Sequence, residues 1–146
     1  MLNWLEPVVI LLTGGVLSLK LLAIWSHTRS AAHGIVNGKL APNNSSSNSV
    51  CSDGDTPNIA PLAQNYAISW EDLQDAVESL SGRFMVIEAN YLHAVFRTPL
   101  LGFEDDFEAR YDEEANSIHL RSASRVGYSD MGGNAKRVEA IKRILE

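Results

Sequence analysis

Leu120-Arg121-Ser122-Ala123-Ser124-Arg125-Val126-Gly127-Tyr128-Ser129-Asp130 lies toward the C-terminal end of a 146-residue chain. No other segment gathers so many hydrogen-bonding side chains. Its start belongs to an alternating run, residues 117–123. Ile118 and Leu120 point to one side and His119 and Arg121 to the other, the two-residue period of a strand. From about residue 133 the period changes. Val138, Ile141, Ile144 and Leu145 share one helical face, while Lys136, Arg137, Lys142 and Arg143 share the opposite one. Asp130 or Asn134 is placed to cap that helix. A strand, a polar turn and an amphipathic helix therefore follow one another here.

Toward the N-terminus the same periods recur. In residues 103–111, Phe103, Asp105, Phe107, Ala109 and Tyr111 fall on one face. Glu104, Asp106, Glu108 and Arg110 fall on the other. Asp105 is the misfit, a carboxylate among aromatics, and it needs a cation; Arg97 and Arg125 are the candidates. Residues 91–98 form another strand, ended by Pro99, and residues 84–88 a further one, with Ala89-Asn90 as the turn. Before these, Trp70, Leu73, Val77 and Leu80 recur at helical spacing. Ser69 with Asp72 makes a capping-box start, and Gly82 stands at the C-terminal end.

Two helices and four alternating strands predict an α+β fold, a two-layer sandwich with a mainly antiparallel four-stranded sheet. The sheet face away from the helices carries His93, Arg97, Asp106, Glu108, Arg110, His119 and Arg121. Left uncovered, it is a charged open face.

Residues 7–25 read PVVILLTGGVLSLKLLAIW, with Lys20 as the one charge. At about 1.5 Å per residue the run is roughly 28 Å long, the thickness of a bilayer core. Trp4 and Trp25 flank it as interfacial indoles, and Lys20 can snorkel to the nearer interface. Residues 1–6 carry no Lys or Arg, unlike the basic start of a signal peptide. The domain organisation expected is a transmembrane anchor over 1–26, a flexible polar linker over 27–60 and an α+β domain over 61–146. Low-complexity residues 42–49 (PNNSSSNS) cannot offset their ordering entropy by burial. Arg29, just after the span, favours a cytoplasmic domain.

Charge is unevenly distributed. Up to Leu62 three basic and three acidic residues cancel; the remaining nine basic and fifteen acidic residues carry the whole net charge of −6. Such a field repels nucleic acid. The single cysteine, Cys51, excludes an intramolecular disulfide and a cysteine-based zinc site. His93 and His119 lack metal-ligand spacing, and no metal or cofactor is expected.

Three constellations could carry chemistry. Arg121-Ser122-Ala123-Ser124-Arg125 offers two guanidiniums and two hydroxyls, the donors of an anion clamp. The competing reading pairs those arginines with Asp105, Asp106 or Glu108 across the sheet. The turn from Gly127 through Tyr128 and Asp130 leads into a helix N-terminus, which favours anions but also needs ordinary capping. Ser122 or Ser124 with His119 and Asp130 supplies the residue types of a hydrolytic triad, without a nucleophile elbow.

Several motifs together resemble the bacterial family known as domain of unknown function 1499. They are Tyr91-Leu92-His93-Ala94-Val95-Phe96-Arg97-Thr98, Gly102-Phe103-Glu104-Asp105-Asp106-Phe107-Glu108, the stretch from Arg121 to Asp130, then Asn134 and Arg137. Asn48-Ser49-Val50-Cys51-Ser52 is similar to the family's N-terminal Asn-Cys-Val-Ser-Ser signature, with the cysteine displaced by one place. The resemblance spans residues 48–145. It implies no activity. It does imply a secreted or membrane-tethered protein, which favours a periplasmic domain on the bacterial inner membrane.

The expectation is a single-pass, membrane-tethered binding module for an anionic small molecule or a partner protein. Arg97, Arg121, Ser124, Arg125, Tyr128 and Asp130 are its candidate ligand-binding residues, with Asp105 and Asp106 as structural or functional acids. The alternatives are a hydrolase using Asp105, His119 and Ser124, and an accessory structural subunit of a membrane complex.

Overall fold

The computed structural model describes residues 4–43, 47–62 and 68–145. Helix α1 (Leu5–Ser26), with Glu6 and Lys20 as its charges, is long and apolar enough to cross a membrane. Then come a small hairpin, β1 (Ile35–Val36) and β2 (Lys39–Leu40), and the short strand β3 (Ser49–Cys51). Helix α2 (Trp70–Ser79) precedes β4 (Arg83–Ile87), β5 (Tyr91–Arg97), β6 (Glu104–Asp112) and β7 (Ser117–Ser124), and α3 (Gly133–Leu145) closes the chain.

The main sheet has five strands in the order β3-β7-β6-β5-β4, all neighbours antiparallel. The expected count of four is corrected by β3, which comes from the segment read as linker. Its ladder places Cys51 opposite Arg121 and Ser49 opposite Ala123. Three residues among serines and asparagines give no usable alternation, which is why the strand was not legible. Residues 44–46, the middle of the low-complexity run, and 63–67 lie outside the described residues.

One sheet face packs on the helices. Leu73, Ala76 and Val77 of α2 and Val138 and Ile141 of α3 are buried against Leu92, Ala94, Phe96, Phe107, Ala109 and Leu120. Phe96 and Phe107 meet edge to face, with ring centroids 6.0 Å apart. The Ser69–Asp72 capping box is present in both directions. At the other end of α2 the left-handed residue is Ser81, not Gly82; Gly82 donates to the Val77 carbonyl, and a Cβ there would lie 2.5 Å from Val77 Cγ1. Close packing therefore fixes that glycine.

The opposite face carries the charged residues expected of it, but it is covered. After α1 ends, residues 27–40 run across it as a strap, and Leu40 is buried with Cys51 and Tyr91. Asp106 and Glu108, two of the seven residues that an uncovered face would expose, are fully buried.

Candidate functional site

The covered face is built from three ion clusters. In the first, Arg125 Nη2 and Nε reach the two Asp106 carboxylate oxygens at 2.8 and 2.9 Å, and Nη1 reaches Glu104 at 2.6 Å. His93 Nε2 lies 2.7 Å from Asp106. In the second, Arg121 Nη1 meets Glu108 Oε2 at 2.7 Å, and the Tyr91 hydroxyl donates to Glu108 Oε1 at 2.9 Å. In the third, Arg110 bridges Asp53 at 2.8 Å and Asp112 at 3.2 Å, with His119 beside both acids.

The strap completes each cluster with backbone N–H groups. Ala31 donates to Asp106 at 2.6 Å, His33 and Gly34 to Glu108 at 3.2 and 2.8 Å, and Leu40 to Asp53 at 2.9 Å. In return Arg121 donates to the Ala31 carbonyl at 2.7 Å and Arg125 to that of Ser26 at 3.4 Å. A buried carboxylate is tolerable only when paired and hydrogen-bonded, and these are both.

The electrostatics follow from that geometry. Burial alone would push the Asp106 carboxyl up. Hydrogen bonds from His93, Arg125 and the Ala31 N–H, with the Arg125 charge, outweigh burial and hold it well below the usual carboxylate range. Asp53 shows the same contest: burial raises it, and Arg110, Leu40 and Gly54 as donors bring it below its ordinary value. Tyr91 is pushed far up by burial and by the Glu108 charge, so its hydroxyl stays a donor. Burial also raises the Cys51 thiol.

The Arg121–Arg125 motif does not act as one clamp, because the pleat divides it. Arg121 and Arg125 lie on the strap side, committed to Glu108, Asp106 and Glu104. Ser122 and Ser124 lie on the helix side, in a second polar network. There Ser122 Oγ donates to Asn134 Oδ1 at 2.6 Å, and Asn134 Nδ2 donates to Ser124 Oγ at 3.0 Å and to the Asn48 carbonyl at 2.9 Å. Arg137 joins Asn134 at 2.6 Å, Ser122 at 2.9 Å and Asp105 at 2.7 Å, and its guanidinium stacks over Phe96. The cation for Asp105 is therefore Arg137, one helical turn beyond Asn134, not Arg97 or Arg125.

The other expected site residues are dispersed. Asp130 caps α3, accepting from Asn134 N–H at 2.6 Å and Gly132 N–H at 3.1 Å. Tyr128 is exposed on the preceding turn. Arg97 is exposed, with Nη2 3.2 Å from His27 Nε2. Asp105 and Ser124 sit on the helix side and His119 on the strap side, so a hydrolytic centre from these three is not assembled. The nearest approach to a triad joins His119 to Ser52, which sequence reasoning missed. Its Oγ lies 3.4 Å from Nδ1 but is buried and already accepts the Leu120 N–H at 2.8 Å. Such a hydroxyl closes a strand edge and is not presented to a substrate.

Among the described residues no group of three or more His, Cys, Asp and Glu side chains is arranged to hold a metal ion. A groove of about 540 Å³ lies between α2 and α3, lined by Asp72, Asp75, Ser79, Ile144 and Leu145 among others, and it contains none of the expected site residues. What the polar residues achieve chemically is internal: they fasten the strap to one sheet face and α3 to the other.

No curated protein matches the chain. A family profile described as Protein of unknown function (DUF1499) matches residues 39–145, which take in β2, β3, both later helices and the whole five-stranded sheet. With the greater part of its length matched, the chain belongs to that family.

Proposed function

We propose that the chain is a membrane-held module for docking a partner protein, with α1 spanning the bacterial inner membrane once. The observation that carries this reading is the outer edge of β4. Met85 and Ile87 are each 50% exposed and Val86 is 37% exposed, on a strand that pairs only with β5 among the described residues. Open, apolar strand edges are where an extended segment of another protein adds to a sheet. The small-anion alternative draws less support, since Arg121 and Arg125 are already neutralised by carboxylates. The hydrolase alternative has its three residues on two sheet faces.

The test is site-specific photo-crosslinking in native membranes from positions 85 and 87, with position 113 on the far β6–β7 turn as the control. A discrete adduct with one protein at 85 and 87, absent at 113, is the expected result. Equal, diffuse labelling at all three positions refutes edge docking.

A further inference from the structure

The end of the domain nearest α1 has an unusual surface. The last turn of α1 packs on the domain: Ala23 and Ser26 are buried, and Ser26 Oγ accepts the Glu104 N–H at 3.0 Å. Lys20 Nζ donates to the Leu100 carbonyl at 2.9 Å, and His27 Nε2 lies 2.8 Å from the Gly102 carbonyl oxygen. The β5–β6 loop, Thr98-Pro99-Leu100-Leu101-Gly102-Phe103, thus lies alongside the helix. Lys20 precedes Ser26 by six residues, about 9 Å of helical rise. A lysine there snorkels back toward the interface, and its ammonium meets this loop. Trp25, an interfacial type of residue, lies in the last turn of α1 with the Arg29 guanidinium 4.1 Å over its ring.

A second observation points the same way. Outside α1, the most exposed large apolar side chains among the described residues are Met131 at 90%, Leu100 at 84% and Tyr128 at 77%. Leu100 follows β5. Tyr128 and Met131 follow β7, whose last residue, Ser124, pairs with Asp105 near the start of β6. Both turns therefore leave the sheet at the end where α1 docks, the second beside β3, where Ser129 bridges Ser47. The turn after β6 is some nine residues away, roughly 30 Å along the strands.

We infer that this end of the domain is itself a lipid-contacting surface, with Leu100 and Met131 entering the bilayer interface beside α1. The inference rests on α1 spanning the membrane. The partner is the lipid surface. Exposed apolar side chains held at headgroup depth leave water for the acyl boundary, while Lys20, Arg29 and Arg97 supply a basic collar.

The experiment uses the full chain in vesicles of phosphatidylcholine and phosphatidylglycerol. Single cysteines replace Leu11, Leu100, Met131 or Glu113 and carry an environment-sensitive fluorophore. Buried Cys51 stays unlabelled, and the unsubstituted chain serves as the blank. Lipids bearing a shallow spin label are the quencher. The expected result is blue-shifted, quenched emission at 100 and 131 and solvent-like emission at 113. A quenched probe at 11 with solvent-like probes at 100 and 131 overturns the lipid contact while leaving the anchor intact. Solvent-like emission at 11 as well removes the anchor, and the inference with it.

Discussion

Replacing Arg121 by methionine separates a structural guanidinium from a ligand-binding one. Arg121 is 1% exposed and Glu108 is fully buried. The substitution leaves Glu108 with three donors (the Tyr91 hydroxyl and the His33 and Gly34 N–H groups) but no cation, and it frees the Ala31 carbonyl. Stranding one partner of a buried pair costs roughly 3–5 kcal/mol. A domain of about 100 residues unfolds with an entropy near 0.2 kcal/mol/K, so the expected fall in Tm is about 15–25 °C. Tm is read by near-ultraviolet circular dichroism of the full chain in mild detergent. Glu108→Gln added to Arg121→Met keeps an acceptor for the three donors while removing the lone charge. That double variant should regain a good part of the loss. Arg97→Ala, at an exposed site, should stay within about 0.5 kcal/mol of the parent. A drop of only a few degrees for Arg121→Met, equal to that of Arg97→Ala, would refute the reasoning and return Arg121 to the list of free anion binders.

Two further outcomes follow from the same face. Asp106 has a depressed folded-state pKa, so the stability it confers is present above its unfolded value of about 3.9 and is lost as pH falls toward the folded one. The stability gap between the parent and Asp106→Asn should accordingly narrow below about pH 4, and a gap constant from pH 7 to pH 3 in thermal melts would contradict it. Cys51 is buried with its thiol pKa raised, so a maleimide should label it only after denaturation; stoichiometric labelling of the native chain would mean that the strap opens freely.

Much of the fold was legible because its period was clean. Phe107, Ala109, Leu120 and Val138 lie where alternation and helical spacing put them, and the seven charged residues assigned to the second face are there. What could not be read was the cover. Residues 27–40 bind through backbone N–H and C=O groups, which every residue has, so no side-chain pattern announces them. They also contact residues some 75 positions away, as Ala31 does Asp106. Of the two readings of residues 121–125, the pairing of the arginines with acids across the sheet is the one present, with Glu108 and Asp106. A clamp needs neighbouring side chains to be close in space, and in a strand the pleat sends Arg121 and Ser122 to opposite sides. Arg137 was missed as the partner of Asp105 because it lies on a helix whose polar stripe reads as solvated. Only its position on the flank nearest the sheet gives it that role.

The strap also fixes an order of events during synthesis. Its partners Asp106, Glu108 and Arg121 leave the ribosome long after Ala31 and Gly34, at separations of up to 90 positions. Contacts of such separation are slow to form, because the closure entropy precedes any reward. Until β6 and β7 have paired, the strap has no cluster to satisfy and the acids have no cover. Helix α1 is complete before any of these partners exists, and only contacts made across this long separation hold the domain against the helix that precedes it.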